Sequence, residues 1–507
     1  MLVKTFGGCV HGVNATTITV EVNVDSGVQF FLVGLPDNAV KESHQRIEAA
    51  LKNNGYRIPI KKITINMAPA DIRKEGSAYD LAIATGILAS TEQIKADNIS
   101  NYIIMGELSL DGSLQPIKGA LPIAIQAKKE GFKGFILPSS NAKEAAIVSG
   151  LDVYGVENIK EVIDFFNGDI SLEPIVVDTR KEFYSRLNEY EFDFSEVKGQ
   201  ENIKRSLEIA AAGGHNAILI GPPGAGKTML AKRLPSILPP LNLHEALETT
   251  KIHSVAGKMA KNSSLISVRP FRSPHHTISD VALVGGGSNP QPGEISLAHN
   301  GVLFLDELPE FNRNVLETLR EPLESGNICI SRAAMQIEFP ARFQLLAAMN
   351  PCPCGQWGNT KAQCLCPPDR INRYLSKLSA PLLDRIDMQV LVNAIAEEDL
   401  IKPNMNKSGE STKIRDKVAA TRLIQFNRQG CINANLSAKD TEISCKLGKD
   451  EEDFLRKALN HLKLSARGFH RLLKVARTIA DMREADKTEL PDLKQALSFK
   501  QNLQAPI

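Results

Sequence analysis

The stretch Gly221-Pro-Pro-Gly-Ala-Gly-Lys-Thr228 follows the apolar run Asn216-Ala-Ile-Leu-Ile220 and fits the pattern G-x-x-x-x-G-K-[ST]. Its glycines allow backbone N–H groups to turn toward an anion, and a helix starting near Lys227 directs its positive end to the same place. The pattern predicts a phosphate-binding loop between a strand and a helix; the alternative is an ordinary turn rich in glycine and proline. The residues expected to contact a nucleotide are Gly221, Pro222, Pro223, Gly224, Ala225, Gly226, Lys227, Thr228 and Met229.

A second stretch, Gly301-Val-Leu-Phe-Leu-Asp-Glu307, places two adjacent carboxylates after an apolar strand. Hydrolysis of a nucleotide needs a magnesium ion and an oriented water molecule. We expect Lys227 to reach the β- and γ-phosphates and Thr228 and Asp306 to hold Mg²⁺, while Glu307 orients the attacking water. The two motifs together predict hydrolysis of ATP.

The composition is that of an ordinary globular protein. The chain has 507 residues, of which 43% are hydrophobic and 23% charged, and its length is typical of about three domains. The net charge of +2 is nearly neutral, so a nucleic-acid site would have to be a local patch. No apolar run reaches the length of a membrane span, and the N-terminus lacks the pattern of a signal peptide. We therefore expect a cytoplasmic protein without membrane association.

The pattern along the chain predicts three domains. Residues 1–175 mix alternating strands with amphipathic helices, which indicates an α/β domain. A charged connector follows, and in residues 192–395 strands alternate with helices around the phosphate motif, as in a parallel sheet. A polar segment, 404–412, precedes residues 413–507, where apolar positions recur at helical spacing.

Four cysteines, Cys352, Cys354, Cys364 and Cys366, fall within fifteen residues. Four thiolates are enough for a closed tetrahedral Zn²⁺ site, so we expect structural zinc. The C-x-C spacing is tighter than the usual C-x₂₋₄-C, which leaves an iron–sulfur site or plain reduced thiols as alternatives. His275 and His276 lack a matching pair of ligands and are expected in a solvated loop.

From residue 192 onward the order of motifs resembles the AAA+ ATPases, in the branch that contains magnesium chelatase and the MCM helicases. Phe194-Ser-Glu-Val-Lys-Gly-Gln200 precedes the phosphate loop, as the adenine-side segment does in that family. The interval between the two phosphate motifs contains Arg269-Pro-Phe-Arg-Ser-Pro-His-His-Thr277 and Gly285-Gly-Gly-Ser-Asn-Pro-Gln-Pro-Gly293, where the family has its helix-2 insert. Leu323-Glu-Ser-Gly-Asn-Ile-Cys-Ile-Ser-Arg-Ala-Ala-Met335 matches the pre-sensor-1 hairpin.

Three further residues match positions with assigned roles in the AAA+ ATPases. By this resemblance Asn350 is the sensor-1 residue, Arg385 in Leu382-Leu-Asp-Arg-Ile-Asp387 is the arginine finger, and Arg467 in Ser465-Ala-Arg-Gly-Phe-His-Arg471 is sensor 2. The finger would reach a nucleotide bound by a neighbouring subunit. Sensor 2 would contact the γ-phosphate from a C-terminal helical lid.

Nearly the whole chain resembles the YifB/ComM family of magnesium-chelatase-like ATPases. This resemblance implies a homo-hexameric motor that acts on DNA, whether single-stranded, duplex or branched. It also implies helicase or branch-migration activity during integration of DNA in natural transformation. Cations on hairpin tips grip phosphates, so Arg332, Arg269 and Arg272 are the candidate DNA contacts. The alternatives are that these arginines brace the hairpins or pair with glutamates, and that the client is a protein.

The N-terminal part resembles the proteolytic domain of Lon. Lys74-Glu-Gly-Ser-Ala-Tyr-Asp80 stands where Lon has its nucleophile, and Gly106-Glu-Leu-Ser-Leu-Asp-Gly-Ser-Leu-Gln-Pro-Ile117 matches the strand pair that follows. Leu121 occupies the position of the Lon catalytic lysine, so Ser77 has no matched base, and Lys118 is three residues away. We expect a catalytically inactive Lon-like domain that serves as a scaffold or interaction surface.

Overall fold

The computed structural model describes residues 1–187, 190–260, 263–287, 290–332, 335–358, 363–394, 409–462 and 465–500. The side chains of residues 332, 335 and 460–462 are outside this description. In chain order, the strands are β1 (Leu2–His11), β2 (Asn14–Asp25), β3 (Phe30–Val33), β4 (Lys62–Ala68), β5 (Tyr102–Ile104), β6 (Glu107–Leu108), β7 (Leu114–Gln115), β8 (Gly134–Pro138), β9 (Asp152–Val156), β10 (Ala217–Ile220), β11 (Phe271–Arg272), β12 (Gly285–Gly286), β13 (Gln291–Pro292), β14 (Val302–Leu305), β15 (Asn327–Arg332), β16 (Met335–Pro340), β17 (Gln344–Met349) and β18 (Met388–Leu391).

The described α-helices fall into two groups, before and after residue 260. The first group is Asn38–Lys41, Ser43–Asn53, Asp80–Ser90, Ala120–Lys129, Ser139–Ala145, Ile159–Asn167, Thr179–Arg186, Glu201–Gly213, Lys227–Ile237 and Leu243–Val255. The second group is Asp280–Val284, Glu294–Leu297, Arg313–Thr318, Pro322–Ser325, Pro368–Leu375, Ala380–Leu383, Glu410–Gln429, Ala438–Cys445, Lys449–Leu462, Ala466–Asp481 and Leu490–Ser498.

The chain divides into two compact units. The first comprises residues 1–186 together with 243–267 and 290–292, and the second comprises 187–242, 268–289 and 293–507. Each unit has its own apolar core. Packing joins the last two predicted regions and assigns two internal segments to the first unit, so the three-domain boundaries that the sequence indicates stay a prediction.

The first unit is built on a seven-stranded mixed sheet in the order β3-β4-β2-β1-β5-β8-β9. Strand β2 buries Ile18, Val20, Val22 and Val24 on one face, which is the alternation expected of a strand that covers a core. Helix Asp80–Ser90, buried along its whole length, packs on β1 and β2. The strands and helices that the sequence predicts in this region are confirmed.

Helix Leu243–Val255 belongs to the first unit although the phosphate loop precedes it in the chain. It packs against helix Ala120–Lys129, and the Ser254 carbonyl accepts a hydrogen bond of 3.0 Å from the Gly119 N–H. The Glu144 carboxylate accepts the Leu121 N–H at 3.0 Å in the same region. Helical periodicity identifies such a helix in the sequence but does not specify the core on which it packs.

The second unit contains a five-stranded sheet in the order β11-β14-β17-β10-β18, and every neighbouring pair is parallel. Strands β10, β14 and β17 are buried at every position, as expected of central strands covered on both faces. The predicted α/β class and parallel sheet are confirmed. The carboxyl ends of β10, β14 and β17 are adjacent, and ligands bind at this edge in open α/β sheets.

Two further parts of the second unit follow from local sequence. Strands β15 and β16 form an antiparallel hairpin that runs from the pair Asn327 and Pro340 to the pair Arg332 and Met335. Helix Ala466–Asp481 buries Leu472, Val475 and Ile479 at helical spacing against the second core. No helix in the described parts of the chain is long and apolar enough to cross a membrane.

Candidate nucleotide site and cysteine cluster

The phosphate loop joins β10 to helix Lys227–Ile237. Gly224 and Gly226 have φ angles of +76° and +81°, and no described heavy atom lies within 4 Å of a Cβ built on either residue. Left-handed backbone and open space at these positions form a concavity that an anion can enter. The geometry fits the phosphate cradle that the sequence predicts.

Lys227 is buried at the start of this helix. Its Nζ donates hydrogen bonds to the carbonyl of Gly221 at 2.7 Å, the carbonyl of Pro222 at 2.9 Å and the Asn350 Oδ1 at 3.0 Å. Burial lowers the pKa of Lys227, and the negative charges of Asp306 and Glu307 oppose that shift. The predicted sensor-1 residue therefore lies beside the predicted phosphate-binding lysine.

The two predicted magnesium ligands are also in contact. Thr228 Oγ1 donates to Asp306 Oδ2 at 2.6 Å, which places a hydroxyl and a carboxylate where Mg²⁺ would bind both. Oxygen ligands of this kind suit Mg²⁺, so the residues present fit the ion.

Glu307 follows Asp306 with φ 53° and ψ 47°, and its side chain is 55% exposed beside His276. His276 Nδ1 lies 3.3 Å from Glu307 Oε2, and the His276 ring packs edge-on against Phe311. His276 lies in a loop with its side chain 30% exposed, as the sequence predicts, but its proximity to the Glu307 carboxylate was not predicted. Its 31-residue separation from Glu307 gave no signal in the sequence.

A cavity of about 250 Å³ adjoins the phosphate loop. The segment predicted to lie on the adenine side forms one wall and the start of the phosphate-loop helix forms the other. Its lining residues are Glu196, Val197, Lys198, Gln200, Ala225, Gly226, Met229 and Leu230. The mostly apolar walls suit the flat face of a nucleotide base.

Both arginines predicted to sense the γ-phosphate bind one carboxylate. Arg385 Nη2 lies 2.7 Å from Glu324 Oε1, and Arg467 Nη2 lies 3.0 Å from the same oxygen. The Arg385 side chain is only 5% exposed, whereas Arg467 is 54% exposed. Arg385 Nη1 also donates to the Pro381 carbonyl at 2.6 Å. Their roles toward a nucleotide stay predictions.

Asp387 directly precedes β18 and contacts the helix that carries Arg467. Arg471 Nη1 donates to Asp387 Oδ1 at 2.7 Å, and His215 Nδ1 lies 3.5 Å from Oδ2. Burial acts to raise the pKa of Asp387. The hydrogen bond with His215 and the charge of Arg471 outweigh it and hold that pKa well below its usual range.

The three candidate DNA contacts differ in their surroundings. Arg269 is buried and donates to the carbonyls of Pro239, Asn300 and Pro240 at 2.6, 2.7 and 3.3 Å, which fits the alternative that it braces the backbone. Arg272 forms a two-bond pair with Glu294 at 2.6 and 2.7 Å. Arg332 ends β15 beside the hairpin tip, and its side chain is outside the described part of the chain.

The four clustered cysteines come together. The Sγ of Cys352 lies 3.4 Å from that of Cys354 and 3.6 Å from that of Cys364, and all four sulfurs lie within 4.8 Å of one another. A tetrahedral Zn²⁺ ion with bonds of about 2.3 Å holds its sulfurs roughly 3.8 Å apart. These separations are too long for disulfides and fit a metal site.

The cysteine cluster also contacts the phosphate loop. Gly355 has φ +77°, and a Cβ built on it would lie 2.4 Å from Pro223 Cδ. The cluster therefore packs closely against one of the residues predicted to bind nucleotide.

In the first unit, the predicted serine nucleophile has no basic partner among the described contacts. Ser77 Oγ donates a hydrogen bond to the Glu107 carboxylate. Leu121 is fully buried, and the side chain of Lys118 extends toward Gly257, with its Cε 3.1 Å from a Cβ built there. A carboxylate does not supply the amine that Lon-type chemistry uses, so the geometry agrees with an inactive domain.

The fold and the paired phosphate motifs define a P-loop ATPase of the AAA+ class. Family models agree: residues 193–400 match magnesium chelatase subunit ChlI, residues 20–141 match subunit ChlI of Mg-chelatase, and residues 408–500 match the C-terminal part of subunit ChlI. The chain belongs to the YifB/ComM family of magnesium-chelatase-like ATPases.

Three relatives illustrate the range of similarity. Competence protein ComM of Haemophilus influenzae is 46% identical over 492 residues, which cover 96% of this chain and 95% of that protein. The uncharacterized protein YifB of Escherichia coli is 45% identical over 491 residues, covering 96% and 95%. Lon protease 2 of Bacillus subtilis is 30% identical over 146 residues, which cover 28% of this chain and 26% of that protein.

Proposed function

We propose that this protein is a homo-hexameric AAA+ motor that hydrolyses ATP and acts on DNA, with helicase or branch-migration activity during integration of DNA in natural transformation. The contact between Thr228 and Asp306, at 2.6 Å beside the buried Lys227, carries the ATPase part, because it brings both phosphate motifs to one point. Family membership implies an ATPase. The similarity to a competence protein over 96% of the chain supports the DNA part.

In this proposal each residue of the site has one task. Lys227 would bind the β- and γ-phosphates, and Thr228 and Asp306 would hold Mg²⁺, which supplies positive charge next to the transferred phosphoryl group when it is bound. Glu307 accepts the proton of the attacking water, and His276 keeps that carboxylate in place until substrate binds. Positive groups at the phosphate oxygens stabilise the transition state because negative charge spreads over those oxygens.

The hairpin of β15 and β16 is the proposed DNA-contacting element. Its two strands pair only with each other within the described sheets. Arg332 is at the last position of β15, directly before the tip. A cation there would meet backbone phosphates irrespective of base sequence.

The proposal also includes a structural zinc ion bound by the four clustered cysteines. The sulfur separations of 3.4 to 3.6 Å fit a tetrahedral ion, which would fix the loop that packs on Pro223. In this position the metal would have a structural role, because four protein ligands leave no open position for a substrate.

The decisive experiment measures ATPase rate with single-stranded DNA, duplex DNA, a four-way junction and no DNA. We expect DNA to raise the rate, and Arg332→Ala to abolish most of that increase while basal turnover persists. Arg320→Ala is the matched control, since Arg320 is an exposed arginine paired with Glu317 at 2.8 Å. A protein without DNA stimulation would instead favour the alternative of an ATPase that remodels a protein client.

Assembly is tested by mixing two inactive variants. Subunits with Lys227→Ala lack the lysine of the phosphate cradle. Subunits with Arg385→Ala lack the predicted arginine finger. Mixed rings would contain interfaces with an intact cradle facing an intact finger, so some ATPase activity should return. A mixture no more active than its parents would show that Arg385 does not act across subunits.

A further inference from the structure

Gln200 has an unusual backbone conformation for a residue with a side chain. It lies in the left-handed region, with φ 62° and ψ 30°, directly before helix Glu201–Gly213, and its side chain does not cap that helix. This conformation is costly for a residue with a Cβ atom, and residues with such strain concentrate at functional sites. Glycine would remove the cost, so the glutamine side chain needs an explanation of its own.

The Gln200 amide is held in one orientation. Its Nε2 donates a hydrogen bond of 2.8 Å to the carbonyl oxygen of Asn393. That oxygen can only accept a hydrogen bond, so the NH₂ group of the amide must face it and the amide oxygen must face away. Gln200 Oε1 has no hydrogen-bond partner among the described residues, so its capacity to accept is unused.

Asn393 belongs to the segment that packs on the phosphate loop. It follows Val392, whose N–H donates to the Ile220 carbonyl at 2.7 Å and whose carbonyl packs directly on Gly221. The hydrogen bond to Asn393 therefore fixes the Gln200 amide relative to the first glycine of the loop. A nucleotide bound by that loop would meet an acceptor at a fixed position.

Two side chains in the lining of the nucleotide cavity can accept a hydrogen bond, those of Glu196 and Gln200. The Glu196 carboxylate forms a salt bridge with Arg233 and is 49% exposed. This leaves the Gln200 oxygen as the neutral acceptor in the lining. Val197 and Met229 are apolar and suit the faces of a base, so an acceptor among them would read its edge.

We propose that Gln200 determines the base specificity of the nucleotide site, with its Oε1 accepting a hydrogen bond from the amino group at position 6 of adenine. The inference rests on the proposed ATPase function, which places a nucleotide in this cavity. Guanine and hypoxanthine carry a carbonyl oxygen at position 6, which would face Oε1 as a second acceptor. The amide cannot rotate to offer its NH₂ group instead, because rotation would turn Oε1 toward the Asn393 carbonyl.

The test measures the affinities of the full-length protein for Mg²⁺–ADP and for Mg²⁺–IDP, the inosine diphosphate, by calorimetry. The two ligands share ribose and phosphates, and at position 6 ADP has an amino group where IDP has a carbonyl. The parent should prefer ADP at least tenfold, and Gln200→Gly should reduce this preference roughly tenfold, because it removes one hydrogen bond. The matched control is Glu484→Gly, which replaces another left-handed residue, with φ 58°, at an exposed position outside the cavity and should leave the preference unchanged.

The ratio of the two affinities separates base recognition from support of the cavity wall. Both variants place glycine in left-handed backbone, so both should fold, and thermal unfolding checks this. A residue that only supported the wall would lower both affinities by the same factor. An unchanged ratio in folded Gln200→Gly, or a parent that binds ADP and IDP equally, would therefore overturn the proposal.

If Gln200→Gly does not fold, Gln200→Asn takes its place. Its shorter side chain cannot reach both Asn393 and the base, so the preference for ADP should fall in this variant too, and an unchanged preference would overturn the proposal equally. The diphosphates are not hydrolysed and no DNA is present. Absence of ATP hydrolysis or of DNA stimulation would thus refute the proposed motor while the ratio of ADP to IDP affinity still decides the role of Gln200.

Discussion

Gly355→Ala tests whether the cysteine cluster supports the phosphate loop. The added Cβ would lie 2.4 Å from Pro223 Cδ, and the residue has φ +77°. A left-handed conformation costs an L-residue roughly 1–2 kcal/mol. Overpacking costs about 1–3 kcal/mol more, so we expect a loss of about 2–5 kcal/mol in the free energy of unfolding.

The matched control is Gly430→Ala. Gly430 ends helix Glu410–Gln429 with φ +73°, and no described heavy atom lies within 4 Å of a Cβ built there. This variant has the same backbone strain without the clash and should lose only about 1–2 kcal/mol. The difference between the two variants isolates the contact with Pro223.

Denaturant unfolding and nucleotide binding are measured for both proteins. Pro223 would move to relieve the clash, and this movement would distort the phosphate loop. If the distortion weakens ATP binding by about 1.4 kcal/mol, ATP affinity should fall about tenfold in Gly355→Ala and stay near normal in Gly430→Ala. Zinc content should be retained, because the four thiols are unchanged. Equal stability and equal ATP affinity in the two variants would refute the support that we assign to the cluster.

Three further outcomes follow from the site. Glu307→Gln should bind ATP but hydrolyse it roughly 10²-fold more slowly, because the carboxylate that accepts the water's proton is gone; normal turnover would exclude the assignment. Elemental analysis should find one zinc per chain, and serine at Cys354 and Cys364 should remove it and lower the unfolding midpoint; iron with visible absorbance would contradict zinc. Asp387→Asn should destabilise the protein by about 3 kcal/mol at neutral pH, because it leaves Arg471 without its partner. Since the folded-state pKa of Asp387 is depressed, the parent loses this stabilisation as the pH falls below about 4. The gap between parent and variant in urea unfolding should therefore narrow there, and a constant gap would show that the carboxylate charge is irrelevant.

The phosphate site was predictable because its chemistry is encoded locally. Eight residues from Gly221 specify the turn, the glycine conformations and the start of the helix. The apolar runs before Gly221 and Asp306 specify central parallel strands. Strands of this kind end at a common edge, so the contact between Thr228 and Asp306 follows from two short motifs.

Long-range side-chain partners were not predictable. Arg269 lies in a polar segment that indicates an exposed cation, but three backbone carbonyls surround it in the fold. A basic residue that braces the backbone has the same sequence signal as one that grips DNA. The pairing of His276 with Glu307 depends likewise on the sheet, because β11 lies beside β14. Only the tertiary structure distinguishes these cases.

The segment between β14 and β17 joins the phosphate site to the hairpin. Asp306 and Glu307 follow β14, Asn350 follows β17, and these strands are parallel neighbours, so both ends of the segment are fixed at the phosphate site. The chain between them contains Glu324 and the hairpin, and Asn327 pairs with Pro340 at its base. Movement of either end would therefore be passed along this segment to the base of the hairpin. We therefore expect a change at Asp306, Glu307 or Asn350 on nucleotide hydrolysis to reach the proposed DNA-contacting hairpin without any change in the buried sheet.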